Sequence, residues 1–135
     1  VSQSKPSAAP EPDGRRVTVL VVEDEVLIRI DVADCLRDEG LRVLEASSAD
    51  EALRLLEQGH SVDVIFSDIH MPGRIDGLDL HAIVAREFPR VKVILTSATS
   101  LPERKSTPET PFIPKPYLIG TVLRAVEDEL GKDDA

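Results

Sequence analysis

Cysteine, positive charge and long apolar runs are all scarce in this sequence, and each shortage excludes something. Cys35 is the single thiol, so neither an internal disulfide framework nor a metal site built from cysteines alone is available. It falls within a helical pattern and reads as a small buried hydrophobe rather than a reactive thiol. Lysine and arginine number 16 against 25 aspartates and glutamates, a formal net charge of −9. Such a surface could release few phosphate counterions, so nucleic acid is not an expected partner. No apolar stretch approaches the roughly 18 residues that a membrane span needs. The N-terminus lacks the basic-then-apolar pattern of a signal sequence, so no membrane contact and a cytoplasmic location are expected. What remains is an ordinary soluble balance: 41% apolar and 30% charged over 135 residues, enough for one domain with a real core.

Val1 to Gly14 carries Pro6, Pro10 and Pro12 among Ser and Ala. It is expected to be a disordered tail ahead of a domain covering residues 15–131, with a short second tail at 132–135. Val17 to Val22 is a nearly continuous β-branched run, expected as a strand buried on both faces. Glu23-Asp24-Glu25 ends it. Leu27, Ile30, Ala33 and Leu36 then recur at helical spacing, and Gly40 supplies a stop. Leu41 to Ala46 reads as a more polar strand nearer an edge. Ser47 or Ser48 can cap the next helix, with Ala49, Ala52, Leu53 and Leu56 on its apolar face and Gly59 at its close.

Val62 to Phe66 is a third strand. Leu80, Ile83, Val84 and Phe88 mark a third helix, terminated by Pro89. Val91 to Leu95 is a fourth strand with Thr96 after it, and Phe112-Ile113 a short fifth, blunted by Pro114. Leu118, Val122, Val126 and Leu130 recur every four residues, predicting a final amphipathic helix. Strand and helix patterns alternate throughout, which argues a parallel sheet covered on both faces. Ser97 to Pro111 interrupts the alternation. Three prolines and few apolar residues there predict a short or mobile helix, or a surface loop.

The chain is organised around Val64-Ile65-Phe66-Ser67-Asp68-Ile69-His70-Met71-Pro72-Gly73, an apolar run that ends at an acidic residue and then turns. In open α/β sheets the carboxyl ends of the strands border the functional crevice. Glu23 and Asp24 leave strand one, Asp68 strand three, Thr96 strand four and Lys115 strand five, so a parallel sheet brings all five residues to one edge. Singly, each has a plain explanation. An aspartate at a strand end is usually a cap or turn residue, Glu23-Asp24 could favour a helix dipole, Lys115 could be a solvated charge and Thr96 a strand residue. Their common position, in order, makes coincidence improbable. Three crowded carboxylates raise one another's pKa values unless a cation sits among them. Oxygen ligands of this kind suit Mg²⁺. A carboxylate can also carry a phosphoryl group as an aspartyl-phosphate, whose charge calls for a metal, a lysine and a hydroxyl donor.

These motifs resemble the response-regulator receiver domain, the phosphoacceptor module of two-component signalling. Val19-Leu20-Val21-Val22-Glu23-Asp24-Glu25 resembles the family's acidic opening, and Ser67 to Gly73 followed by Asp76-Gly77 its phosphorylation-site segment. Leu95-Thr96-Ser97-Ala98 resembles the hydroxyl position, and Phe112-Ile113-Pro114-Lys115-Pro116-Tyr117 the lysine-proline segment. The resemblance runs from about Arg16 to Leu130. It implies a flavodoxin-like α/β fold: a five-stranded parallel sheet of order 2-1-3-4-5 flanked by five helices, the fourth short or disordered here. It further implies that Asp68 accepts a phosphoryl group from a histidine kinase or phosphotransfer protein. Mg²⁺ would be bound by Asp24, Asp68 and the backbone carbonyl of His70, with Glu23 acting largely through water. Thr96 and Lys115 would hold phosphoryl oxygens, and Phe112 would repack as Thr96 moves, altering a surface read by a downstream protein partner. The Lys115-Pro116 bond would be cis.

Two departures from the family pattern stand out. The stretch from Asp68 to Gly77 is one residue longer than usual, with Arg74-Ile75 where one residue is common, and the fourth-helix region is short and proline-rich. Ala98 and His70 occupy the positions that flank the phosphoryl group in the family and tune its lifetime. The lysine-proline ending and the shortened fourth helix resemble bacterial stand-alone receivers, so a single-domain, non-enzymatic regulator is expected, as a monomer or weak homodimer. The competing expectations are a receiver-like interaction module that acts without phosphorylation, separable by Mg²⁺ titration, and an aspartyl-phosphate phosphatase. The second would normally place another aspartate where His70 stands.

Overall fold

Alternation along the central strands decides where the two faces of the sheet lie. In β1 (Thr18–Val22) every residue is buried, Val19 and Val21 toward one face, Leu20 and Val22 toward the other. β3 (Val64–Asp68) divides in the same way, with Val64 and Phe66 on the first face and Ile65 on the second. A strand buried on both faces cannot lie at an edge, and β-branched side chains fit that environment. The computed structural model, which describes residues 16–98 and 111–131, bears this out with one parallel sheet of order β2-β1-β3-β4-β5. β2 (Arg42–Ala46) lies at one edge, β4 (Lys92–Ser97) inside, and β5 (Phe112–Pro114) at the other edge, where a proline's missing N–H is tolerated.

Among the described residues four helices cover the sheet. α1 (Val26–Asp38) and α4 (Ile119–Gly131) pack Val32, Ala33, Leu36, Val122 and Val126 onto the Val19 face. α2 (Ala49–Glu57) and α3 (Gly77–Glu87) pack Ala49, Ala52, Leu56, Leu80 and Val84 onto the Leu20 face. The helix expected between β4 and β5 lies outside the described residues, as do the two expected tails. Because β1 pairs with β2 on one side and β3 on the other, the chain reverses its direction of travel across the sheet between them. The carboxyl ends of β1 and β3 therefore border a crevice.

Local chemistry sets the helix ends. Ser48 caps α2, its side chain accepting from the Glu51 N–H at 3.0 Å, while the Ser47 N–H and hydroxyl both go to Glu51 Oε1 at 2.8 and 2.9 Å. Asp76 and Asp79 form a reciprocal capping box at the start of α3. Gly40 and Gly59, at φ of 93° and 91°, release the chain after α1 and α2.

Three apolar expectations need correction. Leu27 is 83% exposed and Ile30 42% exposed, because steps of three residues drift around a helix and put Leu27 on the side opposite Leu36. The buried stripe of α1 is Val32, Ala33 and Leu36. Leu118 precedes α4 and is 77% exposed rather than part of its inner face. Cys35 is half-buried, and burial, with acidic neighbours on α1, raises its thiol pKa. No described helix is long and apolar enough to cross a membrane.

This assignment of the α1 faces predicts a contrast. Leu36→Ala should cost about 2–5 kcal/mol of folding stability through lost burial and a cavity, whereas Leu27→Ala should fall within about 0.5 kcal/mol of wild type. Urea denaturation of the two variants checks it, and equal losses would contradict the assignment.

Candidate functional site

Each strand that ends at the crevice contributes one part of the site. Where β1 stops, the Glu23 N–H still reaches the β2 carbonyl of Ala46 at 3.0 Å, and the Glu23 carbonyl accepts from Arg29 Nη1 at 3.0 Å. The Glu23 side chain turns inward, 4% of the residue being exposed. Its Oε2 accepts the Glu25 N–H at 3.0 Å and its Oε1 pairs with Lys115 Nζ at 3.2 Å. Asp68 is the last residue of β3 and is also buried. Its Oδ2 pairs with Lys115 Nζ at 2.7 Å and its Oδ1 accepts the His70 N–H at 3.1 Å. Asp24, accessible to solvent, completes a group of three carboxylates whose nearest oxygens lie within 4.8 Å of one another.

The neighbouring strands frame this cluster. Thr96 lies beside Asp68 in the sheet register, and its carbonyl accepts from the Ile69 N–H at 2.9 Å. Among the described residues its buried hydroxyl Oγ1 has no hydrogen-bond partner. A buried hydroxyl ordinarily finds a partner, so this one is an unused donor next to the carboxylates. Lys115 is anchored through its N–H to the Ser97 carbonyl at 3.0 Å, and the Lys115–Pro116 bond is cis, as the resemblance implied. Tyr117 then packs edge-on against Phe66, ring centres 5.4 Å apart, and burial raises its phenol to about 12. Phe112 is half-buried against the core of the α2–α3 face and pairs in register with Leu95, while Ile113 pairs with Thr96.

Electrostatics follow from burial and like charge. Burial above all raises the Glu23 carboxyl above its ordinary value; the Glu25 N–H pulls it back, the Asp68 charge adds to the rise and Lys115 opposes it. Burial alone would lower the Lys115 ammonium, but the hydrogen bond and charge of Asp68, then of Glu23, outweigh it and hold the group above its ordinary value. The donor set is all hard oxygen with mixed burial, which fits a divalent ion that keeps part of its water. The orphaned Thr96 hydroxyl and the Lys115 ammonium fit oxygen acceptors on a group placed against Asp68.

All the residues singled out from the sequence are therefore found at this edge, with two distinctions. His70 brings its backbone N–H to Asp68 while the residue is exposed, and Phe112 sits one register position from Thr96. One contribution went unread and one contributor was missed: Gly77 was named only as part of the resembling segment, and Arg29 not at all. A Cβ on Gly77 would overlap the Asp68 carbonyl oxygen and the Ile69 Cα, so α3 starts in direct contact with the end of β3. Arg29 reaches the acidic corner from α1. Its signal was a charged residue in helical phase with the buried Val32, Ala33 and Leu36 stripe.

Comparison with known proteins decides the family. The sequence pattern of the response regulator receiver domain matches residues 19–110. The chain belongs to the response regulator receiver family. This receiver is 37% identical over 113 residues to the transcriptional regulatory protein PdtaR of Mycobacterium tuberculosis, covering 81% of the chain and 54% of PdtaR. It thus spans about half the length of that curated relative. The crystal structure of the receiver domain from the hybrid histidine kinase CckA is 33% identical, with a TM-score of 0.71, covering 84% of this chain and 98% of that one. TrrA of Thermotoga maritima, solved in complex with Mg²⁺ and BeF, is 28% identical with a TM-score of 0.75, covering 84% of this receiver and 98% of TrrA.

Two predictions follow the geometry. Gly77→Ala should destabilise the fold by about 1–3 kcal/mol, since overpacking here meets backbone rather than a side chain that can swing away. Thermal denaturation checks it, and a neutral result would contradict the contact. The second concerns pH. Glu23, its pKa raised by folding, holds a proton more readily in the native state. Its ionisation therefore opposes folding above the native pKa, and the opposition fades as pH falls toward the ordinary 4.5. Lys115→Met removes the opposing ammonium, so Glu23 should titrate at higher pH in the metal-free variant. Carboxyl NMR titration reads this directly, and an unchanged or lower pKa would count against it.

Proposed function

We propose that residues 15–131 act as a phosphoacceptor receiver in a two-component or phosphorelay system, with Asp68 the residue phosphorylated. The observation that carries this reading is Lys115 Nζ, 2.7 Å from Asp68 Oδ2 and 3.2 Å from Glu23 Oε1, bonded to two of three clustered carboxylates. In the reaction an Asp68 oxygen attacks the phosphorus of a phosphohistidine. The O–P bond forms, the N–P bond breaks, and the imidazole leaves with the bonding electron pair. Mg²⁺, held by Asp24, Asp68 and the His70 carbonyl with Glu23 acting through water, would neutralise charge on the transferring group. That Glu23 already uses both oxygens, on Glu25 and Lys115, supports its indirect role. The complex of the related TrrA with Mg²⁺ and BeF supports the same cation here.

The chain's own groups do the remaining work. Lys115 moves its ammonium from the Asp68 carboxylate to an oxygen of the new acyl phosphate, and Thr96 offers its unpartnered hydroxyl to another. Satisfying that hydroxyl draws β4 toward the site, and Phe112, on the adjoining strand, adjusts to the change. The altered surface around β5 and α4 is then read by a downstream protein. The donor is a histidine kinase or phosphotransfer protein in the cytoplasm. Exposed Val26, Leu27, Ile30 and Leu118, close in sequence to Glu23-Asp24 or Lys115, support docking of a protein donor beside the acceptor.

Intact-mass measurement after incubation with Mg²⁺ and acetyl phosphate tests the proposal. Wild type should gain one phosphoryl group and Asp68→Asn none, while Lys115→Met should react roughly tenfold more slowly or worse. A wild-type chain that binds Mg²⁺ but accepts a phosphoryl group neither from acetyl phosphate nor from a phosphorylated kinase would overturn it. Absence of both binding and transfer would favour an interaction module that works without phosphorylation.

A further inference from the structure

We infer that Arg29 is a positioning residue that holds the acidic corner in its cation-binding shape, an inference that rests on the receiver reading of the site. Its guanidinium spans two elements: Nη1 donates to the Glu23 carbonyl at 3.0 Å and Nε to Glu45 Oε1 on β2 at 3.2 Å. The side chain is 17% exposed. Glu45 is itself held, since Arg37 Nη2 donates to Glu45 Oε2 at 3.1 Å and to the Val43 carbonyl at 3.1 Å. A chain of contacts therefore runs from the edge strand through Glu45 and Arg29 to the point where β1 gives way to the acidic pair.

The atom that Arg29 grips matters. The Glu23 carbonyl oxygen belongs to the planar peptide unit that also contains the Asp24 nitrogen. The Glu23 N–H on Ala46 fixes the peptide before Glu23, and Arg29 on the Glu23 carbonyl orients the peptide after it. The point from which the Asp24 side chain leaves, its Cα, is then fixed with it. The same anchoring keeps the Glu25 N–H against Glu23 Oε2. Glu23 is held at both backbone polar groups and both carboxylate oxygens, and Arg29 supplies the one of these contacts that comes from the body of a helix. A carboxylate cluster assembled by a loop binds a cation well only if the loop is kept still, and outer contacts of this kind commonly govern affinity.

A simple tie between α1 and β2 would predict something different, and Arg37 separates the two. Arg37 shares the Glu45 partner but makes no bond to Glu23. Arg29→Gln, Arg29→Lys and Arg37→Gln are compared by calorimetric Mg²⁺ titration, thermal midpoint, and hydrogen exchange at the Glu25 amide without metal. Arg29→Gln should weaken Mg²⁺ binding on the order of tenfold and speed Glu25 exchange, while Arg37→Gln stays within about twofold of wild type in both. Arg29→Lys should fall between, because one ammonium lacks the planar fork that reaches both partners. Wild-type affinity in Arg29→Gln, or equal losses in Arg37→Gln, would overturn the inference. If wild type neither binds Mg²⁺ nor takes up a phosphoryl group, the receiver reading fails on its own. Exchange at Glu25 then still decides the role of Arg29: faster in Arg29→Gln than in Arg37→Gln upholds it, and equal rates refute it.

Discussion

The Lys115 ammonium, carried past the end of β5, holds together two strand ends whose carboxylates would otherwise repel. Asp68 and Glu23 are both buried and both reach for it. Burying two carboxylates side by side is costly without a shared cation, and Lys115 is the cation both of them meet. The rest of the architecture serves to bring this one charge to that place. A parallel sheet delivers every strand's carboxyl end to the same edge, the order β2-β1-β3-β4-β5 opens a crevice between β1 and β3, and the terminal strand swings Lys115 back across it.

Much of this was legible in the sequence because parallel sheets write themselves plainly. A strand buried on both faces is apolar along nearly its whole length, as Val19 to Val22 and Val64 to Phe66 are. The acidic, hydroxyl and lysine positions each follow such a run, so topology alone implied convergence. The helices were harder to read. Periodicity identifies an apolar face only when steps of three and four alternate, whereas Leu27, Ile30, Ala33 and Leu36 are spaced by threes alone and wind around α1. Leu27 and Ile30 therefore read as helical and are nevertheless exposed. Leu118 misled differently, as a residue in phase with a helix that begins one position later.

What the sequence concealed were contacts to the backbone. Gly77 carries no side chain to betray that it touches the Asp68 carbonyl, and Arg29 acts on a main-chain oxygen rather than a charged partner with a recognisable motif. Both bear on the acceptor indirectly: one sets the distance between β3 and α3, the other the attitude of the Glu23–Asp24 peptide. Motif residues name the chemistry, and the contacts around them hold the geometry that the chemistry needs.

The pairing of Glu23 with Lys115 joins residues 92 positions apart. On a ribosome the carboxylates of β1 and β3 emerge well before the residue that neutralises them. A chain halted anywhere short of position 115 presents its acidic edge uncompensated, whatever its other strands have done. The same arrangement makes the finished edge depend on β5: Asp68 and Glu23 acquire their shared counter-charge only when that strand has been made and set beside β4.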